Sequence, residues 1–150
     1  FSMRVVQIVF FPANSCLQKY GHVEVQFSDG TTTSITRDPG IVHLIPKRLM
    51  NYSCFFEISI TEEQENEMID FAQIYPKRFS LITMYWNFLP IFKNFPRRSG
   101  TFCSEYICCL LQIAGFCESL DSYRTSPDDL YHELRFDERV MCSRNKLRRI

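Results

Sequence analysis

From Arg4 to Phe11 (RVVQIVFF) the chain is apolar almost without interruption, a β-branched and aromatic run of strand length that stops at Pro12. Such continuity predicts a strand buried on both faces or set centrally in a sheet. After a loop through Pro12, Asn14 and Ser15, the pattern changes. Between Tyr20 and Phe27, Val23, Val25 and Phe27 alternate with His22, Glu24 and Gln26, giving a strand with one apolar and one polar face. Ser28-Asp29-Gly30 is a hairpin turn, and Thr31 to Thr36 returns. A three-residue loop with Gly30 in the left-handed position sets Ile35 beside Val23 on the apolar face. It also sets Ser34 beside Glu24, and Thr36 beside His22, on the polar face. A two-residue Asp-Gly loop would send Ile35 to the polar side, so the longer loop is preferred.

Ile41 to Ile45 and Ser53 to Ile60 complete a sheet of roughly five strands, a common size. Thr61-Glu62-Glu63-Gln64 then reads as a capping box. It opens a helix to about Tyr75, with Met68, Phe71, Ala72 and Tyr75 on one face and Pro76 as its stop. The aromatic stretch from Phe79 to Phe92 predicts a short helix and a packed loop around Pro90, and Pro96 to Gly100 a turn. Phe102 to Ala114 is apolar nearly all round, which marks a buried central helix closed by Gly115. Ser126-Pro127-Asp128-Asp129 starts a further short helix, with Ser as N-cap, Pro in the first position and acids in the first turn.

The whole is an α+β pattern in which a roughly five-stranded antiparallel sheet packs on the Cys-bearing helix. At 150 residues, 45% of them hydrophobic, the chain has enough apolar side chain for one domain with one core. Phe1 and Ser2, ahead of Met3, have the look of a cloning remnant, so the expected domain is 3–150. Lys plus Arg equals Asp plus Glu at 17 each, which removes the electrostatic case for general nucleic-acid binding. The charge is uneven: Glu57 to Asp70 is acidic, and the basic stretch from Arg135 to Ile150 reads as a solvated or frayed end. No apolar run reaches the roughly 18 residues of a spanning helix, and no signal-peptide pattern precedes the first strand.

Seven cysteines (16, 54, 103, 108, 109, 117 and 142) form an odd set, with Cys108 and Cys109 adjacent inside an apolar helix. No pair has the C-x-x-C spacing of a zinc site, so nothing calls for a metal or cofactor. The expectation is free thiols in a reducing, cytoplasmic setting, most of them small buried hydrophobes.

Cys103 is different because of where it falls. With Thr101 as N-cap it occupies the first turn of the buried helix, where free backbone N–H groups and the helix dipole favour a thiolate. The same N–H groups suit the oxyanion of a tetrahedral intermediate. A nucleophilic thiol also wants an imidazole, to take its proton and later protonate the leaving group. His22, on the polar face of its strand, is the candidate. Taken singly, each residue is more simply structural; together they form a site. For orienting the imidazole, register favours Ser34 first. Glu24 comes second, because side chains two apart on a strand run parallel. Glu105 is expected to play a structural part. Tyr20 and Trp86 are candidate cleft walls, with the aromatic core the simpler place for Trp86; His43 is a sheet residue, and His132 an exposed helix residue.

The segments GHVEVQFSDGTTTSIT, TFCSEYICCLLQIAGF and TSPDDLY, in that order, resemble the circularly permuted NlpC-like papain superfamily, including viral and phage members. The likeness covers roughly Gly21 to Leu134, and the pair H-V-E-V with S-D-G and F-C-S-E carries it. Lecithin-retinol-acyltransferase-like proteins and permuted-papain deubiquitinating peptidases share the order of histidine before cysteine. The resemblance implies Cys103 as nucleophile and His22 as general base. The family's third residue, a polar group on the strand after the histidine, falls on Ser34 or Thr36, both weaker orienters than a carboxylate. The function implied is a cysteine hydrolase of protease or amidase type, working through a thioester on a peptide or isopeptide bond. Its expected partner is a peptide or protein substrate, with a ubiquitin-like or host protein as candidate, in the host cytoplasm for a viral member. Two alternatives stand beside it. One is a lipid acyltransferase or thioesterase of the lecithin-retinol-acyltransferase type, which would use Phe79 to Phe95 at a membrane. The other is an inactive papain-like module that binds a protein.

Overall fold

The near-continuous apolar run at the start of the chain becomes the middle of a sheet. A computed structural model describes residues 2–13, 19–35, 42–46, 54–74 and 103–143. Its strands are β1 (Met3–Pro12), β2 (Tyr20–Gln26), β3 (Thr31–Ile35), β4 (Val42–Pro46), β5 (Cys54–Thr61) and β6 (Val140–Ser143). They form one six-stranded sheet in the order β4-β3-β2-β1-β5-β6, with every neighbouring pair antiparallel. The helices are α1 (Glu62–Ile74), α2 (Cys103–Ile113) and α3 (Pro127–Arg135), with a 3₁₀ turn at Ser122–Arg124. The fold is therefore α+β.

Alternation along β1 decides which face the helices cover. Val6, Ile8 and Phe10 are fully buried and join Val23, Val25, Ile35, Phe56, Ile58 and Ile60 in the main core. Met68 and Ala72 of α1, six residues of α2 and Leu130, Tyr131 and Leu134 of α3 close that core from the other side. On the opposite face, Val9 and Phe55 make a small second cluster with Phe11, while Val5 and Met3 are exposed. The central position expected of β1 is thus observed, and burial on both faces is confined to the region of Val9. Each fully buried Phe or Ile here contributes roughly 1.5–3 kcal/mol over its exposed state.

The helix starts are built as the sequence predicts. Gln64 N–H donates to Thr61 Oγ1 (3.1 Å), and Thr61 N–H donates to Gln64 Oε1 (2.9 Å), a complete capping box at α1. At α3, Asp129 N–H donates to Ser126 Oγ (3.1 Å) and Ser126 N–H to Asp129 Oδ2 (2.9 Å), with Pro127 in the first turn. Helix α2 ends at Gly115, whose φ of +81° is left-handed; Phe116 N–H reaches back to Leu111 O (2.9 Å).

One expectation fails. Part of the basic C-terminal stretch, read as a frayed end, supplies β6, with Val140 opposite Ile58 and Met141 opposite Glu57. Its entry to the sheet is fixed by Arg139. The guanidinium bonds Asp137 Oδ2 (2.7 Å) and Gly115 O (3.2 Å) and lies 4.2 Å from the Phe116 ring centroid. The sheet therefore has the five expected strands and one more. The predicted structure around Phe79–Phe92 and Pro96–Gly100 lies outside the described residues, as do Thr101, Trp86, Thr36 and Cys16.

Candidate active site

The β2–β3 hairpin has the three-residue loop that the sequence favours. Val25 pairs with Thr33 and Gln26 with Thr32, and Gly30 takes a φ of +90°. Phe27 N–H donates to Thr31 O (2.8 Å) and Gly30 N–H to Phe27 O (3.0 Å), closing the turn. Continued along the strands, this register brings Ser34 beside Glu24 on the polar face. Glu65 of α1 anchors the turn from outside, its carboxylate accepting from Ser28 N–H (2.9 Å) and Ser28 Oγ (2.6 Å).

At the other end of β2 the alternation is broken. Phe11 pairs with His22, but Pro12 pairs with Tyr20, so Gly21 is the extra residue of a bulge. A side chain there has little room: a Cβ on Gly21 would stand 3.0 Å from Ala13 Cα. The bulge turns Tyr20 into the core, where it is 3% exposed and packs on Phe10 and Tyr131. The expected role of Tyr20 as a cleft wall is corrected accordingly. Its phenol accepts from Cys54 Sγ (3.6 Å), and burial, with Cys54 and Tyr131 alongside, pushes its pKa up so that it stays neutral.

His22 follows directly after the bulge, its side chain 29% exposed and its ring 5.5 Å from that of Phe11. Ser34 Oγ lies 3.2 Å from Nε2, and Glu24 Oε1 lies 3.6 Å from the same nitrogen. The hydroxyl of Ser34 has one proton and donates it to Val23 O (2.9 Å). Toward His22 it can therefore only accept, so Nε2 must carry a proton and Nδ1 is the nitrogen left for another partner.

The group acting on the ring from the helix side is Cys103, which helps to raise its pKa. It enters from the first turn of α2, and the residue is 3% exposed. Burial, the largest single influence, works against a charged imidazole. Interaction with Cys103 and with Glu24, including attraction to both groups when ionised, outweighs it and raises the His22 pKa from 6.5 to about 9. Four residues singled out in the sequence, Cys103, His22, Ser34 and Glu24, thus meet around one imidazole. Glu24 reaches it despite the parallel setting of side chains two apart, because both side chains are long enough to lean together.

The remaining residues sort themselves by position. Glu105 is buried in α2, as expected of a structural residue. His132 is exposed on α3. His43 falls in β4, its Cα opposite that of Ser34. Cys54, Cys103, Cys108, Cys109 and Cys117 are free thiols. Burial pushes Cys108 and Cys117 each up to about 12. Among the described residues no group of three or more His, Cys, Asp or Glu is set to hold a metal ion, and no helix is long and apolar enough to cross a membrane.

One contributor was missed. Asp128, expected only to favour the α3 dipole, accepts from Lys19 N–H (3.0 Å) and Tyr20 N–H (2.9 Å) and so pins the chain just before the bulge. No local signal connects residues so far apart in sequence. No family model matches the chain, and neither a curated protein nor a solved structure matches it.

Proposed function

We propose that the protein is a cysteine-nucleophile hydrolase of the permuted papain-like kind, acting on a peptide or isopeptide bond. One observation carries the reading: a thiol in the first turn of a helix acts on an imidazole whose Nε2 side is already held by Ser34. Cys103 gives its proton to Nδ1 of His22 beforehand, and Sγ attacks the carbonyl carbon as the thiolate beside the imidazolium. The oxyanion forms beside the first-turn N–H groups of α2. His22 then gives that proton to the departing amine, leaving a thioester on Cys103. Water, deprotonated by the same nitrogen, attacks the thioester and restores the thiol. A ring with a pKa near 9 holds that proton at neutral pH until the amine departs.

A second reading draws on the near-complete burial of Cys103. A thiol that no substrate reaches would make the domain a papain-like module that binds a protein without turning it over. Labelling with iodoacetamide at neutral pH, located by mass spectrometry, separates the two. The hydrolase reading expects Cys103 to be modified ahead of the other cysteines and His22→Ala to slow that modification. Equal or absent labelling of Cys103 in the folded protein selects the binding module. Probes presenting ubiquitin, peptide or acyl-thioester groups then sort the substrate class.

A further inference from the structure

The Nε2 side of His22 has two acceptors where one would orient the ring. They differ in kind. Ser34 is neutral and fully buried, and its only proton is committed to Val23 O. Glu24 comes from the same strand as the histidine, is 8% exposed, and stands opposite Val9 of the small apolar cluster. A carboxylate set against such a wall is poorly screened, so its charge acts strongly on a neighbouring imidazole.

We propose that Ser34 and Glu24 divide the control of His22: Ser34 fixes which nitrogen always keeps its proton, and Glu24 fixes how firmly the ring holds the other one. A hydroxyl that can only accept discriminates between tautomers, yet as a neutral group it favours the charged ring weakly. A carboxylate 3.6 Å away favours the charged ring through its charge. Glu24 is at the same time too far for a short hydrogen bond that would dictate geometry. Among the described residues the titratable groups acting on the ring are Cys103 from α2 and Glu24 from β2, while β1 presents Phe11 and β3 presents Ser34. Both are positioning residues. Their importance for catalysis rests on the hydrolase reading above, whereas their effect on the ring does not.

Nitrogen-15 NMR of the His22 ring across its titration tests this on the full chain without any substrate. In the unsubstituted protein the neutral ring should be the Nε2–H tautomer, with Nδ1 the nitrogen that loses its proton. A neutral Nδ1–H ring, or an even mixture, overturns the assignment to Ser34. Ser34→Ala should reduce the tautomer preference by roughly tenfold or less, the contribution of one neutral hydrogen bond. Glu24→Gln should leave the tautomer in place and lower the ring titration by about one pH unit. If Glu24→Gln scrambles the tautomer, or Ser34→Ala moves the titration as far as Glu24→Gln does, the division is wrong. Cys103 alkylation provides the separate arm. A ring that behaves as stated while His22→Ala leaves alkylation unchanged retains the division and defeats the hydrolase reading. Slowed alkylation with the wrong tautomer does the reverse.

Discussion

Helices α2 and α3 both bring their first turns to the same few residues at the start of β2, with different consequences. At α3, Asp128 takes the backbone N–H groups of Lys19 and Tyr20. At α2, Cys103 meets the side chain of His22. The first contact saturates both oxygens of a carboxylate on main chain and leaves nothing to react. The second sets a thiol to act on an imidazole whose edge remains partly open. Helix starts offer the same free N–H groups and dipole everywhere. What separates a clamp from a candidate site is the side chain in the first turn and what the strand presents to it.

If that difference is real, substitutions at the two contacts must fail differently. The largest effect belongs to the Cys103–His22 contact. His22→Ala should cut turnover of a reactive probe by roughly 10²–10⁴-fold, the usual contribution of a positioned acid–base group. Cys103→Ala should abolish it, and urea midpoints should show both variants still folded. A His22→Ala protein that turns over at the original rate would reduce this contact to packing.

Asp128→Ala should act on stability instead. It removes two hydrogen bonds to a charged acceptor, one exposed and one partly buried, at a cost of about 2–3 kcal/mol. The readout is a lower urea midpoint at unchanged slope. In the folded fraction, Cys103 labelling should persist. Loss of labelling without loss of stability would mean that the clamp serves the imidazole directly.

The same contrast appears in what could be read from the chain. Features set by neighbours in sequence were legible: the hairpin register from alternation and Gly30, the capping box at α1, the N-cap at α3, and the stop at Gly115. Cys103 and His22 were each marked locally, by a helix start and a polar strand face, but pairing them drew on the order of segments that resembles the permuted papain-like family. Features set by distant packing were not. Asp128 carries no mark that its partners lie at Lys19 and Tyr20. The bulge that turns Tyr20 inward arises from pairing with β1, while the residues themselves continue a plausible alternation. β6 is four residues among charges, too short for a periodic signal, and Arg139 seats it through contacts with Gly115 and Phe116 that only the fold supplies.

The pH dependence of stability sharpens the comparison further. His22 has a folded pKa of about 9 against an ordinary 6.5. A raised value means that the folded state binds the proton more tightly than the unfolded chain. Its stabilising contribution is then complete below about pH 6.5 and is lost as the pH rises through 9. Urea midpoints should therefore fall between those limits, and His22→Ala should flatten the decline. An Asp128→Ala protein should keep the slope, displaced downward. A slope surviving His22→Ala would assign the titration to another group.

The smallest effect is expected at Ser126, and it decides whether the two helix starts are independent. Ser126 Oγ accepts from Asp129 N–H, and Asp129 returns the bond to Ser126 N–H. Neither residue touches β2 through those bonds. Ser126→Ala should therefore cost about 1 kcal/mol, the ordinary value of an N-cap, seen as a small drop in urea midpoint. The clamp should survive, because Asp128 lies within the first turn, after the cap, and its two acceptor oxygens take no part in the capping box. With the bulge still pinned, His22 keeps its place, and both the rate and the pH midpoint of Cys103 alkylation should match the unsubstituted protein. If alkylation slows in Ser126→Ala by more than its loss of folded protein, a frayed α3 start has displaced the bulge. The thiol–imidazole contact would then be held from α3 as much as from α2, and the separation of clamp from site would fail.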